Sequence, residues 1–189
     1  MIWDKTADVV VVGLGAAGGC TAIEAHDHGA KVLVIEADKV PGGNTRLSGG
    51  TLRVFLDADK VFQYYRGVLD ETVKDGLIRK LVDVTMSSHD WFREKCECDF
   101  KVAGKVPFPP APNAVWDFLP GAEGLGGRSQ FVPKDGGDPD MNGGYYLIRS
   151  LMHGVNKRGI EIMYETRGIE LFTNDKKEVI GIRAQTPDG

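Results

Sequence analysis

The sequence predicts an α/β fold built on a central parallel sheet, and three observations carry that expectation. A β-branched run, Ala7 to Val12, leads at once into a glycine-rich turn, a helix-length segment and a second apolar run, Lys31 to Glu36. Residues 7–36 therefore have the order and length of a strand–helix–strand unit, and a connection through a helix makes its two strands parallel. The chain also holds 25 glycines in 189 residues, gathered in loops between periodic segments, as happens where backbone takes positive φ or approaches a ligand. Lastly, a helix followed by strands between Gly143 and Ala184 continues the α/β mixture.

Each element has its own signal. Val9-Val10-Val11-Val12 is unbroken, as expected of a central strand buried on both faces. Ala16 to His28 reads as a helix that can turn Ala22, Ile23 and Ala25 toward a sheet, with Gly29 as its C′ residue. Pro41 to Gly50 reads as a glycine-rich loop. Between about 58 and 96 the chain looks helical, with Leu77, Leu81, Val84, Trp91 and Phe92 at the spacing of a buried stripe. Residues 101–142 are rich in Pro and Gly and nearly aperiodic, a stretch expected to be functional or to lie under another part of the protein. Leu147, Leu151 and Val155 mark a further helix that stops near Gly159. Ile160 to Tyr164, Ile169 to Phe172 and Glu178 to Ala184 then read as strands, the last two joined by a turn at Asn174 to Lys177, forming a small β-meander. The series closes on Thr186-Pro187-Asp188-Gly189, a turn signal with no strand after it, so a truncated chain is expected. A sheet lacking later strands leaves unpaired edges, which predicts poor solubility for the isolated piece.

Composition narrows the function classes. A formal charge of -4 gives no general attraction for nucleic acid or for an anionic membrane surface. Three cysteines fit no disulfide framework and point to a reducing, cytoplasmic setting. The valine run is far shorter than the ~20 apolar residues a membrane span requires, and Asp4, Lys5 and Asp8 interrupt any hydrophobic signal region.

The turn after the first strand carries chemistry. Gly13-Leu14-Gly15-Ala16-Ala17-Gly18 is a G-x-G-x-x-G set between a β-branched strand and a helix. Glu36 ends the second strand, close to the ~20 residues expected of a ribose-binding acid. Gly13 permits the sharp turn, Gly15 has no Cβ to hold a pyrophosphate away, and Gly18 lets the helix pack close to the sheet. The helix N-terminus, opening at Ala16 and Ala17, then offers free N–H groups and about half a positive charge to that diphosphate. Glu36, with Ala37 beside it, is placed for the ribose hydroxyls. This is a Rossmann-like dinucleotide site.

The next loop chooses between cofactors. Pro41-Gly42-Gly43-Asn44-Thr45-Arg46-Leu47-Ser48-Gly49-Gly50 follows the acid by only a few residues. It can run along a bound pyrophosphate toward a ring system, its glycines allowing close approach and Asn44, Thr45 and Ser48 supplying neutral hydrogen-bonding groups. A nicotinamide domain would pass from the acid into another βα unit, so FAD is the expected cofactor. An NAD-dependent enzyme and a truncated, non-catalytic nucleotide-binding module remain the alternatives.

Gly13 to Glu36 followed by the Gly42–Gly50 loop resembles the start of FAD-dependent oxidoreductases of the fumarate reductase/succinate dehydrogenase flavoprotein type. That group also holds 3-ketosteroid Δ1-dehydrogenases and tricarballylate dehydrogenase-like enzymes. The resemblance is tightest over residues 7–50, resumes at Gly143-Gly144 and runs to Ile182; between these stretches it lies in layout. It implies that Gly42, Gly43, Asn44 and Thr45 lie against FAD, with Ser48, Gly49 and Gly50 near the flavin ring. It also implies that the backbone at Gly168, within Glu165-Thr166-Arg167-Gly168-Ile169, meets the adenine. The family's later glycine-rich stretch, capping domain, catalytic acid and substrate-clamping arginines have no counterparts in residues 1–189. The resemblance thus makes the chain the N-terminal portion of an FAD-binding domain, with no catalytic residue of its own and its C-terminal half as a missing partner. The implied chemistry is hydride transfer between flavin and a carbon next to a carbonyl or carboxylate of a small organic substrate. No His stands in the 41–50 loop to carry a covalent flavin link, so FAD is expected to be non-covalent.

Other residues weigh less. His26 and His28 flank Asp27 at positions that face different sides of a helix, which does not suit a metal. Cys96-Glu97-Cys98 lacks a second cysteine pair for a zinc site, and Cys20 reads as a small packing residue. Arg128 and Arg149 are candidates for an anionic substrate or the pyrophosphate, with solvation or ion pairing the simpler state of each.

Overall fold

A computed structural model describes residues 2–103, 116, 118–132 and 141–188. In chain order its elements begin β1 (Val9–Val12), α1 (Ala16–Asp27), β2 (Val32–Ile35), α2 (Gly43–Leu47), β3 (Thr51–Phe55), α3 (Ala58–Val68) and α4 (Asp75–Cys96). They continue β4 (Asp99–Ala103), a 3-10 turn at Ala122–Gly124, β5 (Leu125–Val132), α5 (Gly143–Lys157), β6 (Glu161–Met163), β7 (Arg167–Thr173) and β8 (Val179–Gln185). Two compact units divide the chain: Met1–Ser48 with Gly144–Gly189, and Gly49–Gly143.

The first unit holds the parallel sheet, in the order β1-β2-β6. Register runs Val9 with Val32 to Val12 with Ile35, and Leu33 with Glu161 to Ile35 with Met163. All four residues of β2 are buried, because this strand has a neighbour on each side. β1 departs from expectation. Among the described residues it pairs only with β2, and Val10 and Val12 are exposed, Val12 by 59 %. The valine run encodes burial on both faces, but the structure supplies cover on one. Ala22 and Ile23 of α1 are fully buried, and Gly19 lets the helix meet α5, since an added Cβ there would lie 3.3 Å from Leu151 Cβ. Gly29, at φ 88°, ends α1 as predicted. Leu147, Leu151 and Val155 are the buried stripe of α5. The strands expected as a meander divide: β6 joins the parallel sheet, and β7 with β8 forms an antiparallel hairpin.

The second unit is an antiparallel sheet, β3-β5-β4, with α3 and α4. Two helices split by residues 69–74 replace the single helical stretch read between 58 and 96. The predicted stripe of α4 is out of phase. Leu77, Leu81 and Val84 are exposed, while Ile78 and Val82, each one residue beyond Leu77 and Leu81, are buried together with Phe92 and Cys96. Each step turns a helix by about 100°, so the apolar face of the first half of α4 is rotated from the predicted one. Phe92 is buried as predicted, and Trp91 is half-buried. Strand β5 lies inside the stretch read as aperiodic; it buries Leu125, Gly127, Ser129 and Phe131 in strict alternation.

Ser129 is completely buried, and its hydroxyl meets His89 Nε2 of α4 at 2.5 Å, against the edge of Phe100. Burial holds the His89 pKa below its usual value; Arg93 adds to the lowering and Asp90 opposes it. A depressed folded-state pKa means the unfolded chain binds the proton more tightly. This stability is therefore present above the unfolded value near 6.5 and is lost as pH falls through the folded one. The melting temperature should drop between pH 7.5 and pH 5.5, with a shallower slope in His89→Asn. Parallel slopes for the two proteins in pH-dependent thermal melts would count against the assignment.

Candidate functional site

The predicted phosphate loop is assembled in the first unit. Gly13 leaves β1 at φ 90° and donates its N–H to Ile35 O at 2.8 Å, which ties the turn to β2. A Cβ on Gly18 would stand 1.9 Å from the Gly13 carbonyl oxygen, so only glycine lets α1 close against the turn. Gly15 differs. A Cβ there meets nothing nearer than Thr45 Oγ1 at 3.5 Å and Gly42 O at 3.6 Å, ordinary contact distances. The protein itself does not demand glycine at 15; a ligand pressed against that backbone would. The N–H groups of Ala17 and Gly18 meet no acceptor among the described residues, leaving the positive end of α1 open.

Glu36 points into the mouth of this helix. It is buried, and its Oε2 accepts the Leu14 N–H at 2.6 Å while Oε1 accepts the Asp38 N–H at 2.9 Å. Each carboxylate oxygen retains a free lone pair for a sugar hydroxyl. Ala37, next along, is exposed. The Leu14 and Asp38 amides were not foreseen; they are backbone groups, and residue type leaves no trace of them.

The second glycine-rich segment comes to the same place. Gly42 N–H donates to Leu14 O at 2.9 Å, and Ala16 N–H donates to Thr45 Oγ1 at 3.1 Å. The segment read as an open loop contains the short helix α2, with Gly42 at φ 120° and Gly43 at φ 44°. Gly144 seats the start of α5 on it: its N–H donates to Ser48 O at 3.0 Å, and a Cβ would lie 2.2 Å from Thr45 O. Asn44 is exposed, and the Ser48 hydroxyl donates to Thr45 O at 2.7 Å. Gly49 and Gly50 belong to the second unit.

The link from β6 to β7 forms the far wall. Thr166 N–H donates to Glu36 O at 2.8 Å and Glu165 N–H to Asp38 O at 3.2 Å. A Cβ on Gly168 would meet Ile182 Cδ1 at 2.8 Å, Val12 Cγ1 at 3.3 Å and Ile35 Cδ1 at 3.4 Å. Gly168 therefore lies over the carboxyl ends of β1 and β2, the crevice where open α/β sheets take their ligands. The open amides of α1 and the Glu36 carboxylate, between turns that glycines 13, 18, 42 and 168 hold close together and beside the uncovered backbone of Gly15, are a donor and acceptor set that fits an adenosine diphosphate moiety.

The residues set aside hold structural positions. Arg158 grips Asp27 through two hydrogen bonds, 2.5 and 2.8 Å, and His28 Nδ1 lies 2.8 Å from Glu24 O. No group of three or more His, Cys, Asp or Glu suited to a metal stands among the described residues. Burial, with Glu24 adding to it, pushes the Cys20 thiol up to about 11, which keeps it protonated and inert. Cys96 and Cys98 are both buried. Arg128 lies opposite Arg53 in the second unit's sheet, and Arg149 is exposed on α5. No helix among the described residues is long and apolar enough to cross a membrane.

Comparison with known proteins agrees with this geometry. A fumarate reductase (cytochrome) of Shewanella frigidimarina is 31 % identical, over 94 % of this chain and 29 % of its own length. An NADH:fumarate oxidoreductase of Klebsiella pneumoniae is 28 % identical, over 96 % of this chain and 20 % of its own. The crystal structure of a 3-ketosteroid-Δ4-(5α)-dehydrogenase from Rhodococcus jostii superposes with a TM-score of 0.81 at 25 % identity, covering 98 % of this chain and 43 % of that one. The chain thus spans less than half the length of each of these relatives. Residues 8–189 match the family model described as the FAD binding domain. FAD is accordingly the cofactor, rather than NAD, and the chain belongs to the FAD binding domain family.

Proposed function

We propose that residues 1–189 are the N-terminal portion of the FAD-binding domain of a dehydrogenase or reductase acting on a carbon–carbon bond next to a carbonyl or carboxylate. One observation carries the cofactor half of this reading: Glu36, the open amides of α1 and the Gly42–Thr45 turn converge on one mouth. The substrate half is supported by the relatives' names, a fumarate reductase and a ketosteroid dehydrogenase, whose substrates share an activated C–C bond. Bound flavin supplies hydride transfer there. This chain's residues bind and orient: α1 meets the pyrophosphate, Glu36 the ribose, Gly42, Gly43, Asn44 and Thr45 the path toward the flavin, Ser48, Gly49 and Gly50 the ring end, and the Gly168 backbone the adenine. The catalytic acid and the side chains that clamp substrate lie outside residues 1–189. Three free cysteines agree with a cytoplasmic site of action.

The test is an equilibrium titration of the purified chain with FAD, followed by acid precipitation. Saturable quenching of flavin fluorescence, with all flavin released into the acid supernatant, is the expected result. Absence of saturable binding overturns the cofactor site, and flavin retained in the pellet overturns non-covalent attachment.

A further inference from the structure

We propose that Tyr164 is a binding residue for the adenine of the cofactor, its ring forming a side wall against the base. Three observations place it. Glu36 and Tyr164 are the residues immediately after Ile35 and Met163, which are partners in the parallel register of β2 and β6. The Glu36 N–H donates to Met163 O at 2.9 Å, the last bond of that ladder; beyond it the Glu36 carbonyl accepts from Thr166 rather than Glu165, so Tyr164 stands at the bulge where the two strands part. Tyr164 lies near enough to Glu36 for the carboxylate to be felt at its phenol: burial first, then that charge, raises its pKa.

Second, the backbone carrying Tyr164 is pinned. Thr166 N–H and Glu165 N–H are bonded to the carbonyls of Glu36 and Asp38, the Thr166 hydroxyl donates to Tyr164 O at 2.9 Å, and Glu165 takes a left-handed φ of 51°. The turn is thus held in one conformation at the strand ends. Third, Tyr164 is the only aromatic among the residues that directly follow the three parallel strands, Gly13-Leu14, Glu36-Ala37 and Tyr164-Glu165. Its side chain is unspent: the residue is 36 % exposed, and its phenol oxygen has no hydrogen-bond partner among the described residues. A base next to a ribose held by Glu36 can stack on a π surface at this position, and an aromatic face accepts any purine without directional bonds.

The inference rests on FAD occupying the phosphate loop, so titration of the unaltered chain comes first; if it binds no FAD, reading and inference fall together. With binding established, Tyr164→Phe keeps the ring and Tyr164→Leu keeps apolar bulk without π character. Tyr164→Phe should hold ADP and FAD within about twofold of the unaltered chain. Tyr164→Leu should weaken both about tenfold and leave riboflavin 5′-phosphate, which has no adenine, unchanged. Far-UV thermal melts of each variant separate a lost wall from a lost fold. Unchanged ADP affinity in Tyr164→Leu overturns the proposal while leaving the FAD site standing. Equal losses in the two variants overturn it in favour of a role for the hydroxyl.

Discussion

Gly18→Ala should unfold the phosphate loop, whereas Gly15→Ala should leave it folded and empty. The two glycines lie three residues apart in one motif, and only the structure separates their reasons. At Gly18 the new Cβ would stand 1.9 Å from one backbone oxygen and 3.0 Å from its carbon, and backbone held by the Gly13–Ile35 hydrogen bond cannot yield cheaply. Overpacking of this kind costs about 3 kcal/mol, a fall in melting temperature on the order of 10 °C for a chain of this size. At Gly15 the backbone is extended, φ -84° and ψ -167°, which alanine adopts freely, and nothing stands closer than 3.5 Å. Gly15→Ala should melt within about 2 °C of the unaltered chain. The methyl group would nonetheless occupy the space a diphosphate needs, and losing those charge-assisted contacts should weaken FAD about 100-fold. Calorimetric melting with FAD titration checks both. An FAD-competent Gly15→Ala protein would show that the pyrophosphate does not approach this backbone.

This contrast explains what was legible in the sequence. The G-x-G-x-x-G turn could be read because its requirements are local: a positive φ at Gly13 and a close approach at Gly18 exclude side chains outright. Glu36 stands at the end of the buried strand as its spacing predicts, and the structure gives its carboxylate a use that the spacing does not show, accepting the Leu14 and Asp38 N–H groups. Distant packing left weaker traces. Helix α4 carries two adjacent apolar rows, Leu77-Leu81-Val84 and Ile78-Val82, and periodicity alone cannot say which row meets the core. Strand β5 hid because two of its inward positions are Gly127 and Ser129, residues with no apolar signal; Ser129 is held by His89, 40 residues away in sequence. The fault at β1 was of another kind. Its valines do ask for cover on both faces, and the described residues provide it on one.

Thr45 shows a partial reading. Its hydroxyl was expected to face the cofactor, and here it accepts the N–H of Ala16 at 3.1 Å, leaving its own proton to be donated. The hydroxyl therefore caps α1, and through that bond the turn bearing Thr45 and the turn bearing Gly15 form one structure.

Replacing Glu36 should separate its two roles, because the carboxylate both holds the loop and faces the sugar. In Glu36→Ala the buried Leu14 N–H loses its acceptor at a cost of about 1–3 kcal/mol, while the part-buried Asp38 N–H turns to water. The phosphate loop should loosen, with a melting temperature lower on the order of 10 °C and FAD affinity reduced about 100-fold. Glu36→Gln keeps the shape and one acceptor oxygen, so it retains one of the two backbone bonds and turns an NH2 toward the other donor. Its melting temperature should fall between those of the unaltered and alanine proteins. Its affinity for FAD should drop about 10- to 100-fold, since the charge-assisted bond to the ribose becomes a neutral one. The order unaltered, glutamine, alanine should hold for ADP as well, because the adenosine half alone touches this carboxylate, whereas riboflavin 5′-phosphate should respond only to the alanine variant through the loosened loop. A glutamine variant that bound ADP as tightly as the unaltered chain would confine Glu36 to the architecture of the turn and remove it from the ribose.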